Sequence, residues 1–222
     1  FNTNNKYIKV GGNFTNAAGN STFTNVIPGG YLEFNGTAAQ NYSPGGILTL
    51  ENVVINNSGA GVNLVGSDML IGPTGSLDLS IGKIITTPSL EVTVENTDPI
   101  FVFNHNALSY VQGNLRRFLS GAAESYDFPV GHSIKGYQNA NIAFTSNTLI
   151  PDLLANFETY PSLPTGPVSN DCVGYDYSLS NVLDNGFWNI NASLNANSGT
   201  YDATLYNNNF TPTANFSTIL KS

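Results

Sequence analysis

Five carboxylates, Glu51, Asp68, Asp78, Glu91 and Glu95, fall within one stretch of the chain. Two of them converging on one face would be the minimum equipment for cleaving a glycan, because retaining and inverting glycosidases need carboxyl groups roughly 5 to 10 Å apart. Stacked repeats would align Glu51 with Glu91. No Arg, His or Tyr recurs beside either at the repeat spacing, so the expectation is solvated carboxylates on strand faces and no catalytic pair.

His105 and His132 are the only histidines. Neither has a Cys or an acidic residue at metal-ligand spacing, so zinc would need wholly long-range partners, and each is read as a loop histidine. Asp98 and the pair Asp171-Cys172 are isolated in the same way. Cys172 is the one cysteine; it cannot form an internal disulfide and reads as a small buried apolar residue rather than a nucleophile. A structural calcium ion is the alternative to no ion at all, since Asp, Asn and carbonyl oxygens abound in the turns, although no loop spaces its acids as a calcium loop does.

Trp188, Phe187 and Tyr201 offer flat apolar faces on which a sugar ring can stack. In an alternating strand Trp188 and Ile190 share one face, Phe187 and Asn189 the other, and Trp188 is read as core. The pair Thr22 and Thr24 would suit an ice-binding array only if it recurred turn by turn, which it does not. Asn-x-Ser/Thr triplets begin at Asn13, Asn20, Asn35, Asn41, Asn56, Asn191, Asn209 and Asn215. In an Asn-rich chain most such triplets arise by chance. The sequence therefore assigns no catalytic, cofactor-binding or metal residue, and the chain reads as non-enzymatic.

The elements that would carry these groups are short and β-rich, among them the runs Tyr7 to Val10, Thr22 to Val26, Tyr31 to Phe34 and Val62 to Leu64. Leu50, Leu70 and Leu90 recur at one spacing, each opening a run that Gly, Asn or Pro interrupts. A period of about 20 residues is that of a coiling β-solenoid, in which each turn supplies two or three short strands. The inward residues would be Leu48, Leu50, Val53, Ile55, Leu70, Leu77, Leu79, Ile81, Ile84, Leu90 and Val92, alternating with Thr49, Glu51, Asp78, Lys83 and Glu91. An antiparallel meander is the rival, favoured by Asn35-Gly36 as a hairpin turn.

After Glu95-Asn96-Thr97-Asp98-Pro99 the pattern changes. Ile100 to Phe103 reads as an apolar strand, and from Ser109 the runs lengthen and aromatics rise: Tyr110-Val111, Leu115 to Leu119, Tyr126 to Val130, Tyr137 to Phe144. Leu153 to Tyr160 alternates as a strand, 161–167 is a loop, and further strands are expected at 173–179, 187–192, 200–206 and 216–220. The class is all-β: a parallel β-solenoid over 1–104, then a β-sandwich-like region of antiparallel strands over 105–222 that is expected to continue beyond the sequence.

Composition supports that class and narrows the partners. The 222 residues are 41% hydrophobic and 11% aromatic, enough to fold, yet only 10% charged, so neutral polar side chains carry solubility. A net charge of −8 with no cluster of Lys or Arg argues against nucleic acid. Arg116 and Arg117 are adjacent, but neighbours in a strand point to opposite faces and make no patch. No apolar run is long enough for a membrane-spanning helix, and no signal peptide opens the sequence.

Ser109-Tyr110-Val111-Gln112-Gly113-Asn114-Leu115-Arg116-Arg117, followed by Tyr126-Asp127-Phe128-Pro129-Val130-Gly131-His132 and Tyr137, resembles a module of large secreted surface proteins of the Bacteroidota. In that family Val-x-Gly-x-Leu-x-Arg and Phe-Pro-Val-Gly follow Gly- and Asn-rich β-repeats. Phe187-Trp188-Asn189-Ile190 with Gly199-Thr200-Tyr201-Asp202-Ala203-Thr204-Leu205 looks like the module that comes next. The position after Pro-Val-Gly, often acidic in the family, is His132 here. The resemblance implies an adhesin-like protein exported by a dedicated, type IX secretion system to the surface of a Gram-negative bacterium. Its partners would be neighbouring modules, identical subunits or surface glycans. A structural or adhesive stalk is the reading; a carbohydrate-binding or carbohydrate-cleaving β-helix is the alternative.

Overall fold

The computed structural model describes residues 6–17, 29–147, 150–159, 186–193 and 199–206. The expected strands at 22–26, 173–179 and 216–220, the loop 161–167, Thr22, Thr24, Asp171, Cys172 and the triplets at Asn20, Asn209 and Asn215 lie outside these residues. What is described is all-β and contains a β-solenoid of about five turns. The first turn gives β1 (Tyr7–Val10) and β2 (Phe14–Thr15), and the second β3 (Tyr31–Phe34) and β4 (Gln40–Ser43). The third gives β5 (Leu48–Asn56) and β6 (Val62–Leu64), and the fourth β7 (Met69–Ile81) and β8 (Ile84–Ile85). Next come β9 (Glu91–Val94), β10 (Val102–Phe103) and β11 (Val111–Gln112), then β12 (Asn114–Phe118) and β13 (Ser125–His132). The remaining described strands are β14 (Gly136–Asn147), β15 (Asp152–Glu158), β16 (Phe187–Ala192) and β17 (Gly199–Leu205).

From β1 to β9 successive strands alternate between two sheets. One runs β1-β3-β5-β7-β9-β12-β15-β16, with β10 also paired to β7; the other runs β2-β4-β6-β8-β11-β13-β14-β17. Every described pairing from β1 to β13 is parallel, which excludes the meander. Asn35-Gly36 is a corner between the sheets rather than a hairpin, since β3 and β4 belong to different sheets.

Parallel stacking in register puts like positions of successive turns above one another. Leu32, Val53, Leu77 and Val102 form one inward column, and Val62, Ile84, Val111 and Val130 another. None of the eight is more than 4% exposed. Burying such a side chain stabilises by roughly 1.5 to 3 kcal/mol relative to leaving it in water, so each turn holds the next chiefly through these columns.

The leucine spacing does not set the register. Leu48 pairs with Met69, 21 residues on, and Met69 with Val92, 23 residues on, because the corners differ in length. Leu50 therefore stacks on Ile71, while Leu70 sits between Thr49 and Thr93, on the opposite face and half-buried. A shift of one residue reverses which side of a strand is dry. Ile81, expected inside, is 49% exposed for the same reason: Val54 pairs with Asp78 but Asn56 with Ile81, and the extra residue turns Ile81 outward. Leu90 precedes β9 and is only half-buried.

Ile100 to Phe103 is not one strand. Pro99–Phe101 forms a 3-10 turn, with the Asp98 side chain accepting a hydrogen bond from the Ile100 amide at 3.0 Å, and only Val102–Phe103 pairs, against β7.

Parallel stacking continues across residues 104 and 105, where β11 lies on β8 and β12 on β9. Antiparallel pairing enters with β14 on β13 and β15 on β12, and continues with β16 on β15 and β17 on β14. Both sheets run through the change, and one cluster of buried residues extends from Leu32 to Phe157.

Candidate functional site

Rows of outward side chains are the natural places for chemistry on a solenoid, and the charged residues gather on the row crossing β9, β12 and β15. Arg116 grips Glu91 with Nε to Oε1 at 2.7 Å and Nη2 to Oε2 at 3.1 Å, and its Nη1 donates to Asp152 Oδ1 at 2.6 Å. Thr93 Oγ1 donates to Glu91 Oε1, and Ser193 Oγ to Asp152 Oδ2. The Glu91 hydrogen bond, with Asp152 behind it and burial opposing, holds the guanidinium above its ordinary pKa. Both carboxylates are committed to a fixed cation, an arrangement that joins strands rather than moving protons.

Glu51 does not join this row. The line through Leu50 runs to Ile71 and Val94, placing Glu51 well along the strand from Glu91. Nor is Glu51 solvated, as expected from the alternation: it is 2% exposed. Residues 72–75 are inserted between the pairs Leu50/Ile71 and Asn52/Ser76, and Thr74 Oγ1 there donates to Glu51 Oε1 at 2.8 Å. Asp68 accepts from the Glu91 amide, Asp78 accepts from Ser80 and Asn104, and Glu95 is half-buried beyond β9 with its amide on Ile71 O. The structure brings no two of the expected carboxylates together with a free proton donor.

It does assemble a group that the sequence left scattered. His105, in the loop between β10 and β11, places Nδ1 2.8 Å from Tyr137 Oη and Nε2 3.6 Å from Asp127 Oδ2. Asp127 Oδ1 accepts from Asn139 at 2.8 Å and Asn141 at 3.0 Å. The His105 contact, followed by those two amides and against the effect of burial, holds the Asp127 carboxyl well below the usual range. Burial and the Asp127 charge push the Tyr137 phenol up to about 12. An ionised carboxylate and a phenol that keeps its proton make a clasp for the loop; an activated nucleophile would need the opposite shifts. His132 ends β13 with Nδ1 accepting from the Ile134 amide.

Arg117 faces the other way from Arg116 and is fully buried. Its Nη1 donates to Asp127 O at 2.8 Å and Nη2 to Pro99 O at 2.9 Å, and the guanidinium lies 5.2 Å from the Tyr126 ring centre. Burial lowers its pKa to about 10, with Tyr126, Asp127 and Asp98 acting in the other direction, so it stays charged at neutral pH. It ties the 3-10 turn to β13.

Trp188 packs edge-on against Phe157 with ring centres 4.9 Å apart, and Nε1 donates across to Gln138 O in the other sheet at 3.0 Å. It is part of the packing, as its alternation implies. Tyr201 is on β17 against Phe144, in the opposite sheet, so the three aromatics do not share one platform. Of the glycosylation triplets, Asn13 accepts the Asn41 amide, Asn41 accepts from Asn63, Asn56 donates to Glu33 and Asn191 to Asn189. Among the described residues no three His, Cys, Asp or Glu side chains converge on a point where an ion would sit, and no helix is long and apolar enough to cross a membrane.

No protein family, curated protein or solved structure matches this chain.

The sequence assigns no role to Asp127 or Glu33, and to Arg117 only that of a neighbour of Arg116 making no patch. Asp127 and Arg117 lie inside the runs that carry the family resemblance, but the residues they meet, His105 for Asp127 and Pro99 for Arg117, lie outside those runs and are distant in sequence. A charged residue in the middle of an apolar alternation, as at Glu33 in Tyr-Leu-Glu-Phe and Arg117 in Leu-Arg-Arg-Phe, was the available signal.

Proposed function

We propose that this chain is a non-enzymatic, extracellular structural or adhesive segment of a bacterial surface protein, acting as a stiff spacer. The observation that carries the reading is the unbroken pair of sheets, in which each turn stacks on the last around one core. A solenoid of this kind lengthens by adding turns without changing its cross-section, and its neighbour-to-neighbour contacts suit a rod. The antiparallel strands from β14 onward are read as the start of a β-sandwich-like module that caps one end, since an uncapped sheet edge invites pairing with another chain. The commitment of Glu91 to Arg116 and the burial of Glu51 fit a chain without hydrolytic chemistry. A Gram-negative surface, export by a dedicated secretion system, and neighbouring modules or identical subunits as partners belong to the same proposal, and rest on the resemblance of residues 109–137.

Electron microscopy of the native protein on cells and in culture medium, with mass spectrometry of the whole polypeptide, tests it. A long surface chain or filament containing this segment is the expected result. A freely diffusing monomer of this length that acts on a glycan panel, with activity lost in Glu51→Gln or Glu91→Gln, would replace the spacer with a carbohydrate-active β-helix.

A further inference from the structure

One buried carboxylate bridges an amine and a carboxamide at the first turns of the solenoid. Lys9 on β1, Glu33 on β3 and Asn56 on β5 lie on the outward face of three consecutive stacked strands: Lys9 is directly opposite Glu33, Glu33 opposite Val54, and Asn56 is two residues beyond Val54. Glu33 is 1% exposed. Its Oε2 lies 3.0 Å from Lys9 Nζ, and its Oε1 accepts from Asn56 Nδ2 at 2.6 Å. Two strand spacings, about 10 Å, separate β1 from β5, and the lysine and asparagine side chains close that gap because both reach for the same carboxylate.

We propose that Lys9, Glu33 and Asn56 form the site of a self-catalysed isopeptide bond between Lys9 Nζ and Asn56 Cγ, joining the first turn to the third. The chemistry needs an amine, a carboxamide and a group that carries a proton from one nitrogen to the other, and Glu33 presents one oxygen to each. Oε2 takes a proton from the Lys9 ammonium. The neutral Nζ then attacks Asn56 Cγ, forming the new C–N bond as the carbonyl electron pair moves onto Oδ1. The proton held by Glu33 passes through Oε1 to Nδ2, the carbonyl re-forms, and the Cγ–Nδ2 bond breaks. The surplus proton on Nζ leaves with the departing nitrogen. Lysine ammonium and asparagine amide have become a secondary amide and ammonium, Glu33 is again a carboxylate, and no oxidant or cofactor is required.

The first step runs uphill. Burial alone would raise the Glu33 pKa, yet hydrogen bonds from Asn56, Lys9 and Tyr7 outweigh it and lower it; a carboxylate held in this way is a weaker base toward the Lys9 ammonium, so the neutral amine forms rarely and the bond accumulates slowly. The Lys9 side chain is 60% exposed, so its four-carbon stem is free to swing Nζ past the carboxylate to Cγ. The bond would pin β1, which among the described residues pairs with β3 alone.

Intact-mass measurement of the purified full chain tests this, because ammonia loss lowers the mass by about 17 Da. Cleavage after glutamate should place Lys9 in a fragment ending at Glu33 and Asn56 in one beginning at Asn52, and the cross-link should hold the two together as a branched peptide. Lys9→Arg and Glu33→Gln should each restore the full mass, with circular dichroism confirming that the variants are folded. A wild-type protein at full mass after prolonged incubation overturns the proposal. So does a loss of ammonia that persists in Lys9→Arg or maps to Asn35-Gly36, where a succinimide gives the same mass change.

Discussion

Arg116 and Arg117 are consecutive residues of β12 whose guanidinium groups end on opposite sides of one sheet, Arg116 in a two-point grip on Glu91 and Arg117 buried against Asp127 O and Pro99 O. The outer one locks a parallel neighbour, β9, and an antiparallel neighbour, β15, to the same strand. It therefore sits where the pairing mode of the sheet changes.

Arg116→Lys keeps the charge but loses the planar fork that meets both Glu91 oxygens. Charge-assisted hydrogen bonds contribute roughly 1.5 to 3 kcal/mol each when partly buried, and Lys recovers part of that, so a loss of about 1 to 2 kcal/mol is expected. Urea unfolding of wild type, Arg116→Lys and Glu91→Gln measures it. An unchanged midpoint in both variants would show that the grip is incidental to stability.

The depressed Asp127 carboxyl makes stability depend on acid. A group whose folded pKa lies below its unfolded value stabilises above the unfolded pKa, near pH 4, and the contribution is lost as pH falls through the folded value. Wild type should exceed Asp127→Asn in stability at pH 6 to 7, and the gap should narrow steadily as pH falls below about 4. Paired thermal melts across that range decide it. A gap independent of pH would mean that the asparagine change acts through packing and not through the charge.

Gly82 lies at a corner where one turn passes close to the previous one. Its φ is +91°, and a β-carbon there would stand 2.2 Å from Asn57 O. Strain and collision act together, so Gly82→Ala should cost more than the roughly 1 kcal/mol typical of a left-handed position alone. Gly66→Ala, with φ +76° and open space around it, is the control that carries the strain without the collision. Equal losses in the two variants would contradict the close approach.

The register separates two leucines that look equivalent in the sequence. Leu50 is fully buried between turns, whereas Leu70 is half-buried on the opposite face. Leu50→Ala should cost about 2 to 5 kcal/mol, in line with cavity-forming changes, and Leu70→Ala clearly less. Denaturant titration of both variants is the check, and similar losses would favour a constant 20-residue stagger, in which the two leucines stack.

Several of the short runs were legible because alternation and punctuation coincided. Tyr7 to Val10, Tyr31 to Phe34, Val62 to Leu64 and Leu153 onward are strands for the reason their patterns gave, and Trp188 packs inward as its neighbours required. Ile100 misled because apolarity alone argued for a strand, while Asp98 and Pro99 supplied a cap and a fixed φ that favour a tight turn. Glu51 misled because alternation along β5 is interrupted by the insertion of 72–75 in β7, and nothing within β5 itself records its neighbour's extra residues.

By itself the sequence determined the all-β class and the coiling habit, because short β-branched runs broken by Gly, Asn and Pro cannot make long helices or independent hairpins. Only the tertiary structure decided which turn lies on which residue, since the stagger depends on corner lengths that vary from turn to turn. The groups that combine across turns were settled at that level too. His105 meets Asp127 and Tyr137, and Lys9 meets Glu33 and Asn56, only after stacking has brought distant segments side by side.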